Sequence, residues 1–112
     1  MKLELTQQPN CLIARLIGEL DHHAAGDLRE KIDAAILQRQ CRVLVLDMSG
    51  LTFMDSSGIG LIMGRYRLMS SLGGKLQVEN ASMRLESVLR LAGLEKLPIW
   101  GDTERKKTYE AH

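Results

Sequence analysis

A mixed α/β fold is predicted: an N-terminal β-hairpin, then parallel strands, flanked by about four helices. Three observations predict it. Two short apolar stretches flank the turn signal Gln8-Pro9-Asn10. Beyond them, apolar runs of strand length alternate with segments whose apolar residues recur at helical spacing. A capping residue or a glycine marks most of the switches. Such alternation produces parallel crossovers within one sheet.

Lys2 to Thr6 alternates, with Leu3 and Leu5 on one face. Cys11 to Ile17 is almost wholly apolar and stops at Gly18. The pair reads as a hairpin whose second strand is covered on both faces. Asp21 offers an N-cap. Behind it Ala24, Leu28, Ile32, Ala35 and Ile36 keep helical spacing, and the helix ends near Gln40. Val43-Leu44-Val45-Leu46 has the continuous apolar pattern of a central parallel strand, ending near Asp47-Met48.

The second helix runs from about Ser56 to Leu72, with Gly73-Gly74 as its stop. At 100° per residue, Ile59, Ile62, Met63, Tyr66 and Met69 make one stripe that faces the sheet. Leu61 and Leu68 fall on the opposite side. Leu61 is expected on an exposed contact surface, and Leu68 against a neighbouring element. Lys75 to Glu79 alternates as a strand. Ser82 opens a third helix carrying Met83, Val88, Leu89 and Ala92. Gly93 closes it and lets Leu94 pack back on Leu89. Leu97 to Trp100 reads as a short strand, placed at an edge by Pro98. Asp102 can cap a last helix over about 102–112, but "TERKKTYEAH" has little apolar face beyond Tyr109, so that helix should dock weakly.

The 112 residues suit one domain, 1–112. A formal net charge of +1 gives a nucleic-acid or anionic membrane surface little to attract. Cys11 and Cys41 lie against apolar runs and are read as reduced. "MKLELTQQ" alternates and contains no apolar signal core, and no run approaches the length of a membrane span. A soluble, cytoplasmic protein, monomeric when free, is expected.

The chemistry concentrates in "MDSSGIG", Met54 to Gly60. It sits at a strand-to-helix junction, where sites in such sheets gather. Four readings compete. Asp55, Ser56 or Ser57 could simply cap the helix. Gly58 and Gly60 argue for more, because each costs a helix roughly 1 kcal/mol relative to Ala. Something should approach the backbone there. A catalytic serine would need a base, and the flanks do not match a nucleophile elbow. A nucleotide cradle would need a third glycine or a P-loop lysine. A phospho-acceptor needs only an accessible hydroxyl on a first helical turn, where the dipole tolerates added charge. "DHH" (Asp21 to His23) lacks further metal ligands, since adjacent histidines on a helix diverge by about 100°. "GRYR" (Gly64 to Arg67) reads as a solvated face with Tyr66 turned inward.

Taken together, "GELDHHAA", "MDSSGIGLIMGRYR" and "LAGLEKL" resemble the STAS-domain anti-sigma factor antagonists of spore-forming bacteria, in particular those of the forespore sigma-F circuit. The similarity covers nearly the whole chain. It implies a non-enzymatic switch without cofactor or metal. The family's D-S-[ST]-G acceptor serine falls on Ser56, with Ser57 the lesser candidate. The resemblance implies an anti-sigma factor that is also a serine kinase, in an ADP- or ATP-bound state, as partner. The unmodified form binds it and releases the sigma factor, phosphorylation prevents binding, and a serine phosphatase restores it. Asp21, His22, Asp55, Ser56, Ser57, Gly58, Ile59 and Leu61 are the expected contact residues. The alternative is a STAS-type module that binds a small ligand or nucleotide.

Overall fold

The structure is a computed structural model that describes residues 1–100. The expected helix over 102–112 lies outside the described residues. In chain order the elements are β1 (Lys2–Gln8), β2 (Cys11–Leu20), α1 (His22–Arg39), β3 (Val43–Met54), α2 (Ser56–Ser71), β4 (Lys75–Glu79) and α3 (Met83–Leu89). A wider π-type turn, Arg90–Leu94, follows α3. The sheet order is β1-β2-β3-β4, with β1 antiparallel to β2 and the other pairs parallel. Three helices are therefore described where about four were expected.

Local chemistry accounts for the joints. Gln8 pairs with Cys11 across a two-residue loop in which Asn10 takes the left-handed conformation, φ 59°. The Asn10 carbonyl then accepts from Arg42 and Val43 N–H, which starts β3 beside β2. Leu12, Ala14 and Leu16 of β2 share the inward face with Leu44, Leu46 and Met48 of β3 and with Leu76 and Val78 of β4. Leu28, Ile32, Ala35 and Ile36 of α1 close that core together with Ile62 and Met69 of α2. Of the two cysteines, Cys41 is buried and Cys11 half-buried.

Several expectations are corrected. β2 is covered on one face only: Arg15 is exposed, and Ile13 and Ile17 are half-buried. β3 does not end at Asp47-Met48 but continues to Met54, kept on β2 by two register shifts. Gly50 permits this, because a Cβ there would press on the Leu16 carbonyl and the Ile17 side chain. Residues 97–100 form no strand. Leu97 N–H is taken by Leu94 O and Ile99 N–H by Leu97 O, while Pro98 has no donor, so only Ile99 O reaches β4, at Val78 N–H. In α3 only Leu89 is buried, whereas Met83 is 89% exposed, as is Leu91 (87%) in the turn that follows. The Ser82 cap and the buried Leu89 and Leu94 around Gly93 (φ 102°) are as predicted.

Candidate functional site

Two strand-to-helix junctions meet at one edge of the sheet. Leu20 and Met54, the last residues of β2 and β3, are register partners. The chain leaves both strands side by side, and Asp55 N–H donates to Leu20 O at 3.1 Å, stitching the junctions together. Asp21 and Asp55 follow these partners and occupy equivalent positions. Each has extended backbone, and each caps a helix. Asp21 Oδ1 accepts from Ala24 N–H at 2.9 Å, and Asp55 Oδ1 accepts from Ser57 N–H at 2.8 Å. The Ala24 amide holds the Asp21 carboxyl below the ordinary carboxylate range.

Because Asp55 supplies the cap, Ser56 is released from that duty. It is the first residue of α2 and is exposed. No hydrogen bond ties down its hydroxyl among the described residues. Ser57 is half-buried, and its N–H is the one that Asp55 caps. His22 and His23 are exposed at the start of α1, their rings 6.0 Å apart and edge-on. Asp21, His22, Asp55, Ser56 and Ser57 thus gather at one edge, and half-buried Ile59 lies on the next turn of α2.

Two expected contact residues do not reach the surface. Gly58 is buried, and what approaches it is the chain itself: a Cβ there would overlap Met54 Cγ and stand 3.1 Å from Leu20 Cδ2. Leu61 is 4% exposed and belongs to the core. The helical projection missed this because α1 packs against α2 and covers a second side of it. Ile62 and Met69 are fully buried as predicted, while Ile59, Met63, Tyr66 and Leu68 are half-buried against the core.

Arg65 overturns the solvated reading of "GRYR". It is 6% exposed, and its Nε lies 2.8 Å from Asp33 Oδ1 on α1. A groove of about 580 Å³ runs between α1 and α2, lined by His22, Gly26, Arg29, Ser57, Gly64 and Arg65 among others. Sequence reasoning missed the groove. Its one local signal was the Gly60-x-x-x-Gly64 spacing, which leaves backbone bare along one helix face. No group of three His, Cys, Asp or Glu residues placed to hold a metal occurs among the described residues. No described helix is long and apolar enough to cross a membrane.

The chain matches the STAS domain family model over residues 2–110. It belongs to the STAS family. This STAS domain is 42% identical over 101 residues to an anti-sigma F factor antagonist of Paenibacillus polymyxa, covering 89% of this chain and 86% of the relative. It superposes on the structure of the anti-sigma factor antagonist SpoIIAA in its unphosphorylated form with a TM-score of 0.78, 31% identity, and coverage of 99% and 98%. The Bacillus cell fate determinant SpoIIAA in the phosphorylated form gives a TM-score of 0.70 at 36% identity, over 84% and 86% of the two chains. The mixed sheet of this STAS domain is thus the SpoIIAA-like one.

Proposed function

We propose that the chain is an anti-sigma factor antagonist that works by partner switching, with Ser56 as its phosphorylation site. One observation carries the assignment of the acceptor. Ser56 is an exposed hydroxyl on the first turn of α2 whose neighbour, Asp55, already supplies the cap. A kinase can therefore take the hydroxyl without opening the helix. The phosphate then sits at the positive end of the α2 dipole, which the fold tolerates. It also places about −1.5 to −2 charges beside Asp55 and near Asp21. A surface that met a partner with two carboxylates then carries a dense anionic spot.

The partner is an anti-sigma factor with serine kinase activity, bound to ADP or ATP. The unmodified domain docks on it through Asp21, His22, Asp55, Ser56, Ser57 and Ile59, and the sigma factor is released. Phospho-Ser56 ends the docking, and a serine phosphatase restores it. The free domain is a cytoplasmic monomer, and its role is that of a binding partner and kinase substrate without turnover of its own. Gly58 supports this surface from beneath by letting Met54 pack under the first turn of α2.

The test is incubation of the purified chain with a cognate anti-sigma kinase and ATP, followed by phosphosite mapping and a binding measurement. Phosphate on Ser56 with loss of kinase binding is expected. Modification elsewhere, or a phosphorylated domain that still binds, would overturn the reading.

A further inference from the structure

The groove between α1 and α2 contains two features that packing within the domain leaves unexplained. The first is its bare wall. Gly26, Gly60 and Gly64 lie inside helices, where each is less favourable than Ala. An added Cβ at any of them would meet nothing within 4 Å, so no neighbour in the described residues requires a glycine there. The second is Arg65. Its guanidinium is more than nine-tenths buried and lines the same groove. Nε lies beside Asp33, but Nη1 has no hydrogen-bond acceptor among the described residues. A buried donor left unmatched is destabilising, and more so when charged. Arg29 lines the groove too, and its positive charge bears directly on Arg65. Asp33 offsets one of these two charges, and no acidic side chain among the described residues lines the groove to match the other.

We propose that this groove is a binding site for a small oxyanion, a phosphate dianion either free or as the phosphomonoester of a small metabolite. Arg65 and Arg29 supply the planar donor forks that suit phosphate oxygens. The glycines let the ligand lie against the helix backbone. A volume of about 580 Å³ falls within the range of small-molecule sites. The anion sits away from Ser56: Gly64 is eight residues along α2, about 12 Å at 1.5 Å per residue. Ser57 and His22 at the upper end of the groove link it to the switch surface. The inference does not depend on the proposed function, because binding is measured without any kinase.

The experiment is a titration of the ¹⁵N-labelled full chain, first with inorganic phosphate and then with glucose 6-phosphate, at constant ionic strength. Saturable shifts at the Gly26, Gly60 and Gly64 amides are expected. Arg29→Gln should weaken them about tenfold, the scale of one charge-assisted hydrogen bond. Gly64→Val, which fills the groove, should abolish them. Arg29 is exposed and Gly64 has open space, so both variants should fold. Equal affinity for both probes identifies free phosphate as the ligand, and tighter binding of the ester identifies a phosphorylated metabolite. Shifts confined to Ser56–Gly58 and unchanged in both variants mean an adventitious ion only, and overturn the site. No saturable shift with either probe also overturns it. If Arg29→Gln then weakens kinase binding instead, the groove is a protein contact.

Discussion

Asp21 and Asp55 are structural counterparts: they follow the register partners Leu20 and Met54, and each caps its own helix with Oδ1. The consequence is a division of labour within "DSS". Asp55 holds the helix, and the Ser56 hydroxyl is left exposed.

That division separates stability from switching. Ser56→Ala should remove phosphorylation and leave stability within about 0.5 kcal/mol, as for other exposed substitutions. Asp55→Ala should cost about 1 kcal/mol through loss of the cap. Thermal melts of both variants and mass spectrometry after kinase treatment check this. Phosphate mainly on Ser57, or a Ser56→Ala domain less stable than Asp55→Ala, would reverse the roles.

Ser56→Asp should weaken kinase binding and keep the fold. One carboxylate carries less charge than a phosphate, so the loss should be smaller than for the phosphorylated domain. Far-ultraviolet circular dichroism should match the unmodified protein. A Ser56→Asp domain that unfolds would show that the α2 dipole does not accommodate the charge.

Asp47 gives a pH dependence. Burial opposes its ionisation, but the Asn80 side-chain amide and the Ser49 N–H, both 3.0 Å from Oδ1, outweigh it and lower the carboxyl below its usual value. A carboxylate lowered on folding adds stability that is present above its unfolded value and lost as pH falls through the folded one. Stability should therefore decline as pH drops below about 4. Asn80→Ala should raise the Asp47 midpoint in a carboxyl NMR titration. An unmoved midpoint would remove Asn80 as a cause.

Arg65 and Asp33 should behave as a buried pair with one partly wet member, since the Asp33 side chain is 30% exposed. Asp33→Ala leaves the guanidinium unpaired. Discounted for that exposure, the loss should be about 2 kcal/mol, or roughly 10 °C in Tm for a chain of this size. Arg65→Met replaces the charge with an apolar side chain and should cost less. A larger loss for Arg65→Met would mean that the guanidinium makes favourable contacts beyond Asp33.

What the sequence made legible was local. The Asp21 cap, the Leu28-Ile32-Ala35-Ile36 face and the β4 limits follow from periods and caps that need no partner element. What it hid was long-range. Leu61 is buried because α1 lies on it, and Arg65 is buried beside Asp33, 32 residues earlier, a pairing that no helical projection contains. Ser49-Gly50 broke the apolar run of β3, yet the strand continues because β2 beside it supplies the pairing. At the site, "DSS" showed that caps and hydroxyls coincide, but only the hydrogen bond from Ser57 N–H reveals which residue does which.

The two glycines of "GIG" make the last prediction, because they look alike in sequence and differ in space. Gly58 is buried, and a Cβ would overlap Met54 Cγ and approach Leu20 Cδ2. Gly60 is exposed and its Cβ would meet nothing within 4 Å. Replacement by Ala raises helix propensity equally at both, by roughly 1 kcal/mol. At Gly60 that gain should survive, raising stability by about 0.5–1 kcal/mol. At Gly58 it is opposed by overpacking of about 1–3 kcal/mol, so Gly58→Ala should be neutral to destabilising. Met54 supplies most of the obstruction, so the Gly58→Ala penalty should shrink in a Met54→Ala background. A double-mutant cycle in urea measures that coupling. If both Ala variants are stabilised alike, Met54 swings aside freely, and the requirement for glycine at position 58 lies outside the domain, with whatever docks on α2.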